Sequence, residues 1–332
     1  MAALGRRLAA LGRRLGALEA RGGRSALGCA AVRRLVMSLC LLASLGGALS
    51  LAGGAADAAG RHGQRYLLAL GDSYAVGYQA PIDRTTLHGP ANQLVALAAR
   101  RGLHLKLIDL GCAGATTASM LTERGCPAGG MAPGAPPYPR RTQLQAAVAF
   151  LRAHRGQVAM VTVSIGGNDV DGCIPQPDPL TCVAARMPAA VANLKRIVRA
   201  LRAAGGARLP IVGSTYPDVV LGAWVRGDVF KDGYTLAAES LTAFRYLINP
   251  GLRRAYASAH AHFVDVTAAT GAYGPFYAVK TPAYGPIPEP VAAVCRLTFF
   301  CRYLDIHMTT AGYGIIARLE AEVLFAGRAG RG

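Results

Sequence analysis

Three observations predict an α/β protein of three layers, with a mostly parallel five-stranded sheet between helices. Short apolar runs of strand length alternate with longer amphipathic stretches from Tyr66 to about Phe325. Glycine, proline, asparagine or aspartate punctuates most of the junctions. The run Val158–Ser164 (VAMVTVS) is β-branched and apolar enough to be a central strand covered on both faces.

The elements follow in order. Tyr66–Leu70 is apolar and stops at a glycine, which makes it the first strand. Asn92–Arg101 is helical, with Leu94, Leu97 and Ala98 on one face. His104–Leu110 alternates and then turns apolar, giving a second strand, and the Gly/Pro-rich stretch 125–139 is loop. Gln143–Ala153 is a helix, Val158–Ser164 the third strand and Met187–Ala204 a long helix. Pro210–Ser214 is the fourth strand. Thr235–Ala259 is helical with a break near Asn249-Pro250, because proline removes a helix donor. His262–Val266 is the fifth strand, and Thr309 or Thr310 caps a last helix that runs to about Phe325. No internal repeat or interdomain linker stands out, so one domain is expected over residues 61–327.

Composition narrows the class. Hydrophobic residues are 52% and charged residues 16% of 332, which supports a large core and argues against wholesale disorder. The formal charge is +18, yet the arginines are scattered rather than clustered, and there is no stripe of Lys/Arg interleaved with aromatics and no nucleic-acid fold motif, so no nucleic-acid partner is expected. Such a basic surface allows only a weak attraction to a membrane or cell-wall surface. Residues 1–58 read as an export leader. Arg33 and Arg34, a loose twin-arginine pattern, precede the apolar run Leu35–Ala52, and Ala56-Asp57-Ala58 is a small-residue cleavage site. A run of about 18 residues could just span a bilayer, but its glycines and serines favour a cleaved leader and a secreted product.

Cysteine spacing agrees. Apart from Cys29 and Cys40 in the leader, six cysteines fall in three local pairs, Cys112/Cys126, Cys173/Cys182 and Cys295/Cys301. Six cysteines allow 15 connectivities, and the clustering favours nearest neighbours. None has the C-x-x-C spacing of a zinc site, so disulfides in an oxidising compartment are expected and no metal.

Four short blocks carry the candidate chemistry, each at the carboxyl end of a strand or before the last helix. Gly71-Asp72-Ser73-Tyr74 can project a serine hydroxyl from the sheet edge. In Gly111-Cys112-Ala113-Gly114-Ala115-Thr116-Thr117, Gly114 can bring a bare N–H close to a bound oxygen. In Gly166-Gly167-Asn168-Asp169 the Asn168 amide can donate to a developing oxyanion. In Asp305-Ile306-His307-Met308-Thr309-Thr310-Ala311-Gly312-Tyr313 the imidazole has an acid two residues before it. Each block alone is most often structural: a helix cap, a turn, an Asn/Asp turn, a satisfied histidine.

Together and in this order the blocks resemble the SGNH/GDSL hydrolase family, and above all its secreted actinobacterial esterases and lipases, which share Gly-Asp-Ser-Tyr, the Cys-x-Gly-Ala-Thr-Thr block and three local disulfides. The resemblance implies a flavodoxin-like fold, no cofactor, and a serine esterase or lipase acting through an acyl-enzyme. Ser73 matches the nucleophile and His307 the general base. Gly114 and Asn168 match the oxyanion donors beside the Ser73 N–H. The family usually sets its triad acid three residues before the histidine, where this chain has Leu304. Either Asp305 reaches the imidazole, since residues two apart in an extended segment point the same way, or the Leu304 carbonyl orients it. The segment Tyr216–Tyr234, with Val219, Val220, Leu221, Trp224 and Phe230, offers apolar surface for an acyl chain. The expected substrate is a small-molecule or lipid ester and the expected state a monomer. An acyltransferase on the same scaffold and a non-catalytic wall- or lipid-binding protein are the alternatives.

Overall fold

The computed structural model describes residues 63–329; the leader expected over 1–58 lies outside them. Five strands, β1 (Arg65–Gly71), β2 (Leu105–Asp109), β3 (Val158–Ser164), β4 (Ile211–Ser214) and β5 (His262–Val264), form one sheet in the order β2-β1-β3-β4-β5. Every pairing in it is parallel. The helices are α1 (Pro90–Arg100), α2 (Thr117–Thr122), α3 (Gln143–Ala153), α4 (Pro179–Gly205), α5 (Gly233–Ala243), α6 (Asn249–Ala257), α7 (Val266–Ala269), α8 (Glu289–Leu297), α9 (Phe300–Tyr303) and α10 (Thr310–Ala329). Among the described residues no helix is long and apolar enough to cross a membrane.

The alternation of side chains along β1 builds both outer layers. Leu68 and Leu70 join Ala147 of α3, Leu194 and Ile197 of α4 and Leu252 of α6 in one core. Leu67 and Ala69 join Leu94 of α1 and Ala317 and Leu324 of α10 in the other. The strand order reverses direction between β1 and β3, and such a switch point opens a crevice outside the strand carboxyl ends. Gly71 pairs with Ser164 there, so the loops carrying Ser73 and Asn168 start side by side.

The structure differs from the sequence expectation at several places. The helix expected from Met187 starts at Pro179, because Asp178 accepts from the Thr181 N–H at 2.9 Å and Pro179 needs no donor in the first turn. Pro188 sits inside that helix on its exposed side. The break expected at Asn249-Pro250 comes just earlier, as a π turn over Phe244–Ile248 that leads into α6. The last strand stops at Val264 because Asp265 caps α7, taking the Ala268 N–H at 2.9 Å. The segment 216–234 contains a 3-10 turn, Val219–Val225, and a small antiparallel hairpin, Ala278–Thr281 with Gly285–Pro288, follows α7.

Glu320 on α10 is 2% exposed, and its Oε2 has no partner among the described residues. Burial pushes its carboxyl from 4.5 up to about 8. The folded chain therefore keeps a proton that the unfolded chain releases. That contribution to stability is complete below the unfolded value and is lost as pH rises through the folded one. Between about pH 5 and 8 the melting temperature of wild type should fall more steeply than that of Glu320→Gln. Thermal melts of the pair isolate Glu320 from Asp72, Asp109 and Asp218, which burial pushes up to about 7. Parallel pH profiles would reject the assignment.

Candidate active site

The turn after β1 is made by Gly71, whose φ of +142° admits only glycine, since a Cβ there would overlap the Ser164 carbonyl. The Gln143 side chain brackets this residue. Gly71 N–H donates to Gln143 Oε1 and Gln143 Nε2 donates to Gly71 O, each at 2.9 Å. The chain then turns out of the sheet and is held by Asp72 N–H donating to Ser164 O at 3.0 Å. Ser73 stands at the edge of the crevice, 6% exposed.

Asp72, 1% exposed, accepts from Tyr216 Oη at 2.5 Å and from Tyr74 N–H at 2.9 Å. Burial pushes its carboxyl up to about 7 against the pull of those bonds. The Asp72–Tyr216 pair ties the loop after β1 to the loop after β4. Sequence reading gave neither residue a role; the only signal was the acid inside the Gly-Asp-Ser block.

The imidazole meets the hydroxyl across 234 residues of sequence: Ser73 Oγ and His307 Nε2 are 2.7 Å apart. On its other side His307 Nδ1 lies 2.9 Å from Asp305 Oδ1, which also accepts the His307 backbone N–H at 2.8 Å. Leu304 makes this reach possible. Its left-handed φ of 56° ends α9 and turns the chain back, so that an acid two residues before the histidine folds onto it. Among the described residues the Leu304 carbonyl accepts no bond from the imidazole. Burial would raise the Asp305 carboxyl, but the hydrogen bonds and charge of His307 outweigh it and hold it below the usual range. Tyr78 and Tyr74 pack against the imidazole at ring-centroid distances of 4.4 and 5.7 Å. Tyr74 Oη donates to the Ile306 carbonyl and Tyr313 Oη to the Tyr78 carbonyl, the latter at 2.8 Å. Sequence reading assigned these tyrosines no role, although Tyr74 stands in the first block and Tyr313 closes the fourth.

The second and third blocks are bolted together. Asn168 Nδ2 donates to Ala115 O at 2.8 Å, next to Gly114, whose φ of +80° again suits glycine. Asp169 takes the Thr117 N–H at 2.9 Å and the Thr117 hydroxyl at 2.6 Å. One N–H of the Asn168 amide has no partner among the described residues, and neither the Ser73 nor the Gly114 backbone N–H has one. Cys112 is bonded to Cys126, Cys173 to Cys182 and Cys295 to Cys301. Among the described residues no cluster of three or more His, Cys, Asp or Glu could hold a metal ion.

Beside Ser73 and Asn168 lies a cleft walled by Val170, Ile174, Leu180, Val219, Leu236 and Phe244, among others. Asp72, Asp171 and Glu239 also line it, and no lysine, arginine or histidine does. A hydroxyl bonded to an imidazole that is in turn bonded to a carboxylate can lose its proton as it attacks a carbonyl. Unpartnered N–H groups nearby can receive the negative charge that develops.

The sequence from residue 69 to 315, which holds all four blocks, matches the model of a family described as the GDSL-like Lipase/Acylhydrolase family. No curated protein matches the chain. Among solved structures it is similar to the extracellular lipase of Streptomyces rimosus, at 18% identity over 79% of this chain and 99% of that one, with a TM-score of 0.46. It is also similar to the psychrotrophic esterase EstA of Pseudoalteromonas sp., at 11% identity over 80% and 100%, TM-score 0.41. A third is the salicylyl-acyltransferase SsfX3 of a tetracycline biosynthetic pathway, at 14% identity over 80% and 55%, TM-score 0.34.

Proposed function

The chain belongs to the GDSL-like lipase/acylhydrolase family, and from that premise we propose that it is a secreted serine esterase that hydrolyses carboxylic esters through an acyl-enzyme on Ser73. The observation that carries this reading is the unbroken chain Asp305–His307–Ser73, with 2.9 and 2.7 Å links. His307 accepts the Ser73 proton as the hydroxyl adds to the ester carbonyl, then gives it to the departing alcohol. Asp305 holds the tautomer with Nδ1 protonated and stabilises the imidazolium. The N–H groups of Ser73 and Gly114 and the Asn168 amide receive the oxyanion. Water, deprotonated by the same imidazole, releases the acid.

The cleft beside Ser73 supports an uncharged, apolar acyl group. Its walls are largely apolar, and among the described residues its acidic side chains are Asp72, Asp171 and Glu239, with no lysine, arginine or histidine to attract a charged acyl group. Three disulfides support export, with a leader over 1–58 and a hydrolase domain over 61–327. A fluorophosphonate probe tests the reading: it should label Ser73 and block turnover of p-nitrophenyl esters. Labelling elsewhere, or none, would reject it. Added alcohol acceptors, with the products analysed, separate hydrolysis from acyl transfer. Asn168→Ala should lower kcat by on the order of 10²–10³ while KM moves little, because the amide acts on charge that exists only in the transition state. A change confined to KM would remove Asn168 from the oxyanion role.

A further inference from the structure

Two of the walls of the cleft beside Ser73 are of unequal build. One is Leu236, Ala243 and Phe244, carried by helical backbone that continues from α5 through the π turn into α6. The other is assembled from two separate pieces: the 3-10 turn Asp171–Cys173 followed by Ile174, and the first turns of α4 with Leu180 and Val183. Between the pieces run residues 175–178, all exposed and in neither helix nor strand. The hydrogen bonds made by this connection stay close to their own piece. Gln176 N–H donates to Cys173 O at 3.1 Å, and Asp178 takes the Thr181 N–H at 2.9 Å. The bond from Cys173 to Cys182 crosses the gap; Cys173, 1% exposed, lines the cleft itself.

We propose that the Cys173–Cys182 bridge is a specificity-determining element of this cleft: it locks Ile174 and Leu180 into one wall against which an uncharged acyl chain of several carbons packs. The inference rests on the reading of Ser73 as the nucleophile and of the cleft as the acyl site. Each methylene moved from water to an apolar wall is worth about fourfold in binding, but only where the wall is already ordered. An acetyl group has no methylene to place there and depends little on the wall. An octanoyl group extends along it and loses that gain when the two pieces part.

The experiment compares kcat/KM for p-nitrophenyl octanoate and p-nitrophenyl acetate in the purified protein and three variants, each checked by a thermal melt. In Cys173→Ala/Cys182→Ala the octanoate-to-acetate ratio falls tenfold or more on this account, an order-of-magnitude expectation from the methylene increment. In Leu180→Ser, which keeps the bridge and makes the wall polar, it falls about threefold or more. In Cys112→Ala/Cys126→Ala, a bridge outside the cleft, the ratio keeps its wild-type value. Should the first variant fail to fold, the Leu180 variant decides. Equal losses on both esters, a ratio within about twofold of wild type in the folded wall variants, or a comparable fall in the Cys112/Cys126 variant would overturn the inference. Absence of Ser73-dependent turnover in wild type would instead overturn the esterase reading, and this inference with it.

Discussion

Ser73→Ala should abolish hydrolysis of p-nitrophenyl esters, with a loss in kcat on the order of 10⁴-fold or more, and leave the fold intact. The size of the effect follows from the proposed chemistry: without Oγ no acyl-enzyme could form, and only oxyanion binding and substrate positioning would remain. The structural cost is small by comparison. The Ser73 hydroxyl makes one hydrogen bond to a side chain, that to His307, and a bond of this kind contributes about 1 kcal/mol. Backbone contacts of the loop, such as Tyr78 N–H donating to Ser73 O at 3.0 Å, survive the substitution. Steady-state kinetics beside a thermal melt measure both halves. A folded variant that keeps more than about a tenth of wild-type activity would remove Ser73 from the chemistry.

Asp305→Asn is the second large effect, on the order of 10³–10⁴ in kcat. Asn and Asp have the same shape, so the turn at Leu304 persists and the substitution reads charge and tautomer rather than packing. With a carboxylate at 2.9 Å, Nδ1 carries the proton and Nε2 is free to accept from Ser73. An amide at 305 can present its NH₂ to Nδ1, which moves the ring proton to Nε2 and turns it toward the serine hydroxyl as a donor. A neutral amide also gives the imidazolium no counter-charge. A loss below about tenfold would mean that the Leu304 carbonyl or water orients the imidazole instead.

Most of the scaffold was legible in the chain itself. Gln143–Ala153 and Val158–Ser164 have the bounds expected from sequence, because each rests on local causes: a Thr142–Gln145 capping box for the helix, and for the strand a mostly apolar run, rich in valine, in which every residue is buried. Where expectation and structure part, a competing local interaction decides. Asp178 starts α4 before the residue that hydrophobic spacing favours, and Asp265 ends β5 by capping the next turn. Pro188 does not interrupt α4, because on its solvent face the carbonyl left without an amide donor can turn to water.

The candidate site divides along the same line. By itself the sequence determined which residues stand at the strand ends: the Ser73, Gly114 and Asn168 blocks, and a histidine with an acid two before it. Its cysteine spacing favoured nearest-neighbour pairing among 15 connectivities, because short separations leave local closure the least costly choice, and the three bridges follow it. Which group faces the imidazole depends on one backbone rotation at Leu304, and that rotation is visible only in the folded chain. The tertiary structure alone assigned Asp72 to Tyr216 and Asp169 to Thr117, pairs 144 and 52 residues apart. Local propensity acts over a few residues, whereas a hydrogen bond needs its atoms within about 3 Å. That proximity comes from the order in which five strands are laid side by side, which no single segment encodes.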